Sequence, residues 1–258
     1  MTGFFIKKAF FDGWDNLISL VTLNLGYLVV LGGVYGALEL LPVSFAGGVA
    51  LAVVSLALHA FYTGMVSVHV KEFAYYSRPG FSEFKAGFMK IWRHALLQLL
   101  VNLVLATLTL FIIPFYLSYG SLVTFFIAIL MFWVALALAM AMMYFYPLAT
   151  HMPKDRPLKT LKKSLIIVAD NIGFSLFFGF YHLVNLLLTL FFATIIPGAS
   201  GIMLSRQVAM KLLMFKYDYI EEHPETLKKD IPWEELLFDE RENIGHRTLK
   251  GMIFPWKE

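Results

Sequence analysis

Hydrophobic positions along this chain gather into five long runs, residues 17–40, 45–68, 95–117, 121–148 and 172–196. A helix rises about 1.5 Å per residue, so about 20 apolar residues cross the roughly 30 Å hydrocarbon layer of a bilayer. Each run therefore predicts a membrane-spanning helix. The last four contain no Asp, Glu, Lys or Arg, and the first holds only Glu39, at its far end where the side chain reaches the headgroups. The pattern predicts an all-α fold, a polytopic transmembrane helix bundle over residues 17–216, with an N-terminal segment 1–16 and a charged tail 217–258.

The polar positions between the runs orient the bundle, because Lys and Arg are retained on the cytoplasmic side. Two basic residues precede the first run. Five lie between the second and third (Lys71, Arg78, Lys85, Lys90, Arg93) and five between the fourth and fifth (Lys154, Arg156, Lys159, Lys162, Lys163), with none in the other two connections. The N-terminus and both long connections are thus expected in the cytoplasm, the chain being a multi-pass protein of the cell membrane. Five crossings would strand Arg206, Lys211 and Lys216 outside, so a sixth is expected over 198–215, entered through Pro197-Gly198-Ala199-Ser200-Gly201. A basic residue near mid-membrane costs about 2.5 to 3.5 kcal/mol on insertion scales, which packing and snorkelling offset. Segment 1–16 interleaves Phe4, Phe5, Phe10 and Phe11 with Lys7 and Lys8, which suits a helix lying at the interface, or else a disordered terminus.

The two basic connections share an order of features. Tyr62 precedes His69 by seven residues and Arg78-Pro79 follows; Tyr144 precedes His151 by seven and Arg156-Pro157 follows. After each Arg-Pro comes an amphipathic pattern, Phe81, Phe84, Phe88, Ile91 and Ala95 in the first, Leu158, Leu161, Leu165 and Val168 in the second. These spacings predict two cytoplasmic surface helices, each started by proline. Duplication and convergence both account for the pair. The cations Arg78, Lys85, Lys90, Arg93, Arg156, Lys159, Lys162 and Lys163 either touch anionic headgroups, at about 1 kcal/mol each, or form a docking surface for a partner.

Composition narrows the chemistry. Hydrophobic residues make up 59% of the chain and mean hydropathy is +0.71, outside the soluble range, and the absence of cysteine removes disulfides and thiol catalysis. No HExxH, GxSxG, Walker loop or dinucleotide fingerprint occurs, so no enzyme activity, metal, cofactor or nucleic-acid partner is expected. The polar residues within the runs are Asn24, His59, Gln98, Asn102, His182, Asn185 and Arg206, with Asp170-Asn171 opening the fifth. Asn24, His59, Asn102, His182 and Asn185 are candidates to line a polar cavity for a neutral solute; the alternative is that the amides tie helices together at about 0.6 to 2 kcal/mol per bond. Gly32 and Gly36 form a GxxxG spacing that serves either internal packing or a homo-oligomer. The tail carries a helical stretch from Ile231 to Phe238 and an apolar end, 249–256, and is expected to fold back so that its acids meet the basic connections.

Several segments together resemble the YesL-like family of bacterial membrane proteins. They are Leu23-Asn24-Leu25, Phe81-Ser82-Glu83-Phe84-Lys85-Ala86-Gly87-Phe88, Tyr144-Phe145-Tyr146-Pro147-Leu148 and Leu158-Lys159-Thr160-Leu161-Lys162-Lys163-Ser164-Leu165. The resemblance implies a small non-enzymatic multi-span protein whose relatives accompany carbohydrate uptake systems of the ATP-binding-cassette type, and it supplies no catalytic residue. The expected function is accessory or regulatory, in contact with the lipid bilayer and a membrane transporter subunit or other membrane protein; the alternative is a small-solute transporter or channel.

Overall fold

The computed structural model describes residues 1–192, 195–227 and 230–248. Among them every regular element is helical: α1 (Thr2–Asp15), α2 (Leu17–Leu40), α3 (Phe45–Ala74), α4 (Phe81–Thr107), a π segment (Leu108–Ile112), α5 (Ile113–Ser118), α6 (Leu122–His151), α7 (Pro157–Asp170), α8 (Ile172–Phe191), α9 (Gly198–Glu222), α10 (Trp233–Leu236) and α11 (Phe238–Ile244). Five are long and apolar enough to cross a membrane: α2, α3, the continuous run Phe81–Ser118, α6 and α8. The chain is thus an integral, multi-pass membrane protein in contact with lipid. Its outward faces carry Val29, Leu38, Leu110, Phe126, Trp133 and Leu187, all largely exposed, as a lipid-facing surface must be.

The five crossing helices behave differently along their length. In α6, Leu122 to Leu130 is mostly exposed, whereas 141–149 is buried on every side. One end of the bundle is therefore a packed protein core, and the other consists of hairpins standing in lipid, joined by the short connections 41–44 and 119–121. Helices α2 and α3 approach closely where Gly26 faces the Tyr62 ring. A Cβ there would overlap the ring, whose hydroxyl donates to Leu23 O at 2.7 Å. Gly32 touches nothing and Gly36 meets only Leu51 at 3.5 Å, so the GxxxG pair is not what brings these helices together. The π segment precedes Pro114, which has no N–H to donate and crowds the carbonyl four residues back; widening the helix absorbs that defect.

The two expected surface helices turn out unlike each other. The first is the leading part of α4, continuous with the third span, because no residue from Phe81 to Thr107 breaks the helix. The second, α7, is separate and ends where Asn171 folds its amide back onto Ile167 O at 2.9 Å. Its buried face is Thr160, Ser164, Ile167 and Val168, rotated from the expected leucine stripe, and Leu158 and Leu165 are exposed. Small hydroxyl residues let α7 lie close to its neighbours, with Thr160 Oγ1 3.1 Å from His94 Nε2 on α4. The residues paired by sequence order also part company: His69 packs on Phe73 and Phe84, whereas His151 meets the Tyr75 hydroxyl at 3.0 Å.

Helix α9, the candidate sixth crossing, falls outside the helices apolar enough to cross and is instead the most enclosed element. Met203, Leu204, Gln207, Val208, Ala209, Met210, Leu212 and Leu213 are each at most 2% exposed, among α1, α2, α3, α6 and α8. It runs antiparallel to α8, as Asn171 bonds Tyr217 and His182 bonds Arg206. The connection between them is clamped by one residue of α2. Asn24 Nδ2 donates to Ile195 O (2.8 Å) and Pro197 O (3.0 Å), its Oδ1 accepts from Ser200 N–H (2.9 Å), and Ser200 Oγ donates to Leu20 O (2.9 Å). Asn24 lies seven residues after Leu17, about 10 Å along the axis, so the hairpin tip meets α2 near the end from which α2 starts. The return along α9 brings the tail back to the end that holds α1. Segment 1–16 is not a loose terminus: α1 is packed against α9, and Phe5, fully buried, sits edge-on to Phe174, Phe177, Phe178 and Tyr181 at 5.1–6.2 Å between ring centroids.

Replacing Asn24 by Leu keeps the branched outline but leaves two carbonyls and one N–H without their amide partner, at about 1 to 3 kcal/mol for each buried group. Asn24→Leu is expected to lower the unfolding temperature in detergent. Gly198→Ala should do the same, because Gly198 has φ +65° and a Cβ would run into the Asn24 amide. Retention of wild-type melting by Asn24→Leu would refute the clamp.

Candidate functional site

The five residues expected to line one polar cavity take up separate positions. Asn24 is the clamp just described. Asn102 Oδ1 accepts from Gln98 Nε2 at 2.8 Å, one turn earlier on the same helix. Asn185 Nδ2 donates to Tyr181 O at 2.8 Å within α8 and lines a cleft of about 250 Å³ whose other walls are largely apolar, including Trp14, Leu17, Leu188 and Ile196. Asn24 thus ties two segments together, whereas Asn102 and Asn185 bond within their own helices, which meets the need for a partner where no water is at hand.

The two histidines are drawn toward a residue outside the expected lining, Arg206 of α9. Its Nε donates to His182 Nε2 at 3.0 Å, and His182 Nδ1 lies 2.7 Å from Phe178 O. Since a carbonyl can only accept, Nδ1 must carry the proton, and Nε2 offers its lone pair to the guanidinium. His182 is therefore neutral and orients Arg206. On α3, which packs along α9, His59 lies against the Tyr27 ring, with centroids 6.0 Å apart. Tyr27 in turn donates to Thr63 Oγ1 at 3.2 Å. Among the described residues no carboxylate pairs with Arg206, and no group of three or more acidic, His or Cys residues could hold a metal.

At the packed end a second polar cluster joins four parts of the chain. Lys8 of α1 is fully buried, with Nζ 3.0 Å from Asp12 Oδ2 and 2.9 Å from Glu240 Oε2 of α11. Glu240 Oε1 lies 2.5 Å from Lys211 Nζ of α9, which also donates to Ala74 O at 2.9 Å. Tyr76 closes the set: its hydroxyl accepts from Lys8 and donates to Glu240, both at 2.8 Å, and its ring faces both lysines. It does so from a left-handed backbone conformation, φ +61°, held by the turn after α3. Two ammonium groups thus face two carboxylates. Burial pushes the Asp12 carboxyl up to about 6 despite Lys8. Burial acts on Glu240 in the same sense, but Lys8 and Lys211 outweigh it and hold that carboxyl below its ordinary value.

The tail therefore folds back, but its acids meet cations other than those of the connections. Glu240 takes Lys8 and Lys211, the Arg247 guanidinium forks onto Asp15 at 2.9–3.0 Å, and Lys7 donates to Gly245 O at 3.0 Å. The expected helix from 231 to 238 becomes two short ones, with Ile231, Leu237 and Ile244 buried beneath. Residues 249–256 lie outside the described residues. Of the candidate docking cations, Arg78, Lys85, Lys90, Arg93, Arg156 and Lys162 are exposed. Lys159 and Lys163 both bond Asp155, at 2.7 and 2.5 Å, which holds its carboxyl below the usual range. Asp12, Tyr76 and Glu240 escaped the sequence reading, and Lys8 and Lys211 entered it only as an interfacial and a stranded cation; the only local signal of the set was the i,i+4 spacing of Lys8 and Asp12.

Removing one member of a buried ionic set leaves the others uncompensated, at about 3 to 5 kcal/mol. Glu240→Gln is therefore expected to release the tail, read as a lengthened distance between spin labels at Gly3→Cys and Glu242→Cys in this cysteine-free chain. The pH response has a definite sign. The folded-state value of Asp12 lies above its unfolded 3.8, so its contribution to the docked state grows as pH falls from 7 toward 4. That of Glu240 lies below its unfolded 4.5, so its contribution is lost only as pH falls through the lowered value. The docked distance should persist from pH 7 to 5, and undocking within that window would contradict the assignment.

Compared with known families, curated proteins and solved structures, the chain matches no family model, no curated relative and no solved structure.

Proposed function

We propose that this chain is a non-catalytic accessory or regulatory protein of the cytoplasmic membrane that acts through its packed end on another membrane protein. The carrying observation is the ionic cluster of Lys8, Asp12, Tyr76, Lys211 and Glu240, which fastens both terminal segments to the bundle core. The same end displays exposed Arg78, Lys85, Lys90 and Arg93 beside exposed Phe81 and Met89, and exposed Arg156 and Lys162 beside Leu158 and Ile166. The bias of Lys and Arg toward this end supports a cytoplasmic orientation, with both termini inside. The resemblance to the YesL-like proteins supports a carbohydrate transporter of the ATP-binding-cassette type as the partner. The self-satisfied amides Asn24, Asn102 and Asn185 weigh against a continuous solute path.

Crosslinking in native membranes from a photoreactive residue at exposed Glu242 is expected to capture a transporter subunit; repeated isolation of the chain alone would refute the proposal. The second reading, a small-solute transporter or channel, is favoured by the Arg206, His59 and His182 cluster. Liposomes containing only this protein should show no solute flux on the first reading. Flux abolished by His182→Leu would establish the second.

A further inference from the structure

The Arg206 cluster holds a cation that has no carboxylate partner among the described residues. Arg206 sits opposite the middle of α8, since His182 is the eleventh residue of Ile172–Phe191, and near the middle of α3, since His59 is the fifteenth of Phe45–Ala74. Three buried lysines of the packed end have a carboxylate within 3.1 Å: Lys8 has Asp12 and Glu240, Lys211 has Glu240, and Lys216 has Asp170. Arg206 has instead a neutral histidine, and that histidine engages only Nε. Among the described residues the two terminal nitrogens of the guanidinium have no hydrogen-bond acceptor, and the His59 ring has no hydrogen-bond partner.

Several observations converge on the ligand such a site would take. The Nε bond to His182 fixes the plane of the guanidinium and leaves its Nη fork, the edge that matches two oxygens of an oxyanion. His59, beside the Tyr27 ring and on α3, which packs along α9, adds one ring N–H from a different helix. Two helices thus offer donors and no acid competes. A cation away from bulk water without a counter-ion is costly, whereas one that receives an anionic ligand is not. A tetrahedral group can accept from the fork and from a third donor at once. We infer that Arg206, oriented by His182 and assisted by His59, forms a binding site for a phosphate group, carried either by a phospholipid or by a small soluble phosphate. This goes beyond the accessory role proposed above and does not depend on it.

Phenylglyoxal, which modifies arginine, tests the inference on the unmutated protein, with Arg78 and Arg156 as internal controls. The protein is first exchanged exhaustively into a maltoside detergent until its phosphorus content falls to background. Modification at Arg206 is then followed by mass spectrometry in chloride, in inorganic phosphate of equal ionic strength, and in dihexanoyl phosphatidylglycerol. At saturating probe the Arg206 rate should fall at least about fivefold by mass action, with Arg78 and Arg156 little changed. Protection by inorganic phosphate assigns a soluble ligand, and protection by the lipid alone assigns a headgroup. His59→Leu should weaken the protection at Arg206. Equal rates in all three media, or equal protection of all three arginines, would overturn the site.

Discussion

The hydrocarbon interior offers no hydrogen-bonding solvent, so any polar group that enters it must be met by another part of the protein. That constraint explains why the Asn24 amide makes three hydrogen bonds to one connection. The break between α8 and α9 frees backbone groups that a continuous helix would have satisfied itself, and one side chain from α2 answers three of them. The same constraint explains the hydroxyl donors, Tyr62 to Leu23 O and Tyr146 to Ala60 O, and the hold of Gln207 on Ser67 O at 2.9 Å. Asn24, Tyr62, Tyr146 and Gln207 fasten one part of the bundle to another, and Arg206 stands out because it is only half fastened.

At the packed end the problem is different, because charge rather than dipole is buried. A buried pair is weak support for stability in itself, since desolvation offsets much of the attraction, but it penalises every arrangement that separates its members. Here the members come from α1, α9, α11 and the turn after α3. The set therefore specifies one mutual placement of the two terminal segments. The leucine and isoleucine side chains beneath α10 and α11 supply the apolar contact that non-directional burial provides.

How much of this was readable beforehand follows from the range over which each interaction acts. Run length and the lack of charge are local properties, and α2, α3, α6 and α8 begin within a residue of the runs that announced them. Pro157 marked the start of α7 and Asp170-Asn171 its end, because missing donors and short amides act on their own backbone. Rotation of α7 was not readable: a leucine stripe says which face is apolar, and in lipid an apolar face gains nothing by turning inward. Thr160 and Ser164 won the contact through small size and hydrogen bonding. Arg206, His59 and His182 were visible as polar residues in apolar surroundings, but their convergence from three helices was not.

The order of residues alone determined the solvent of this protein, the number of long apolar helices and the end at which its cations collect, since each of these sums over neighbours along the chain. Tertiary structure decided the place of α9. Residues as unlike as Lys211, Gln207 and Arg206 share that helix with Met210 and Leu213, a mixture that reads neither as a span nor as a surface helix. It becomes a core only because Ala74, Ser67 and His182, each on another helix, stand opposite the polar members. Complementarity between segments 24 to 140 residues apart has no signature in either segment by itself.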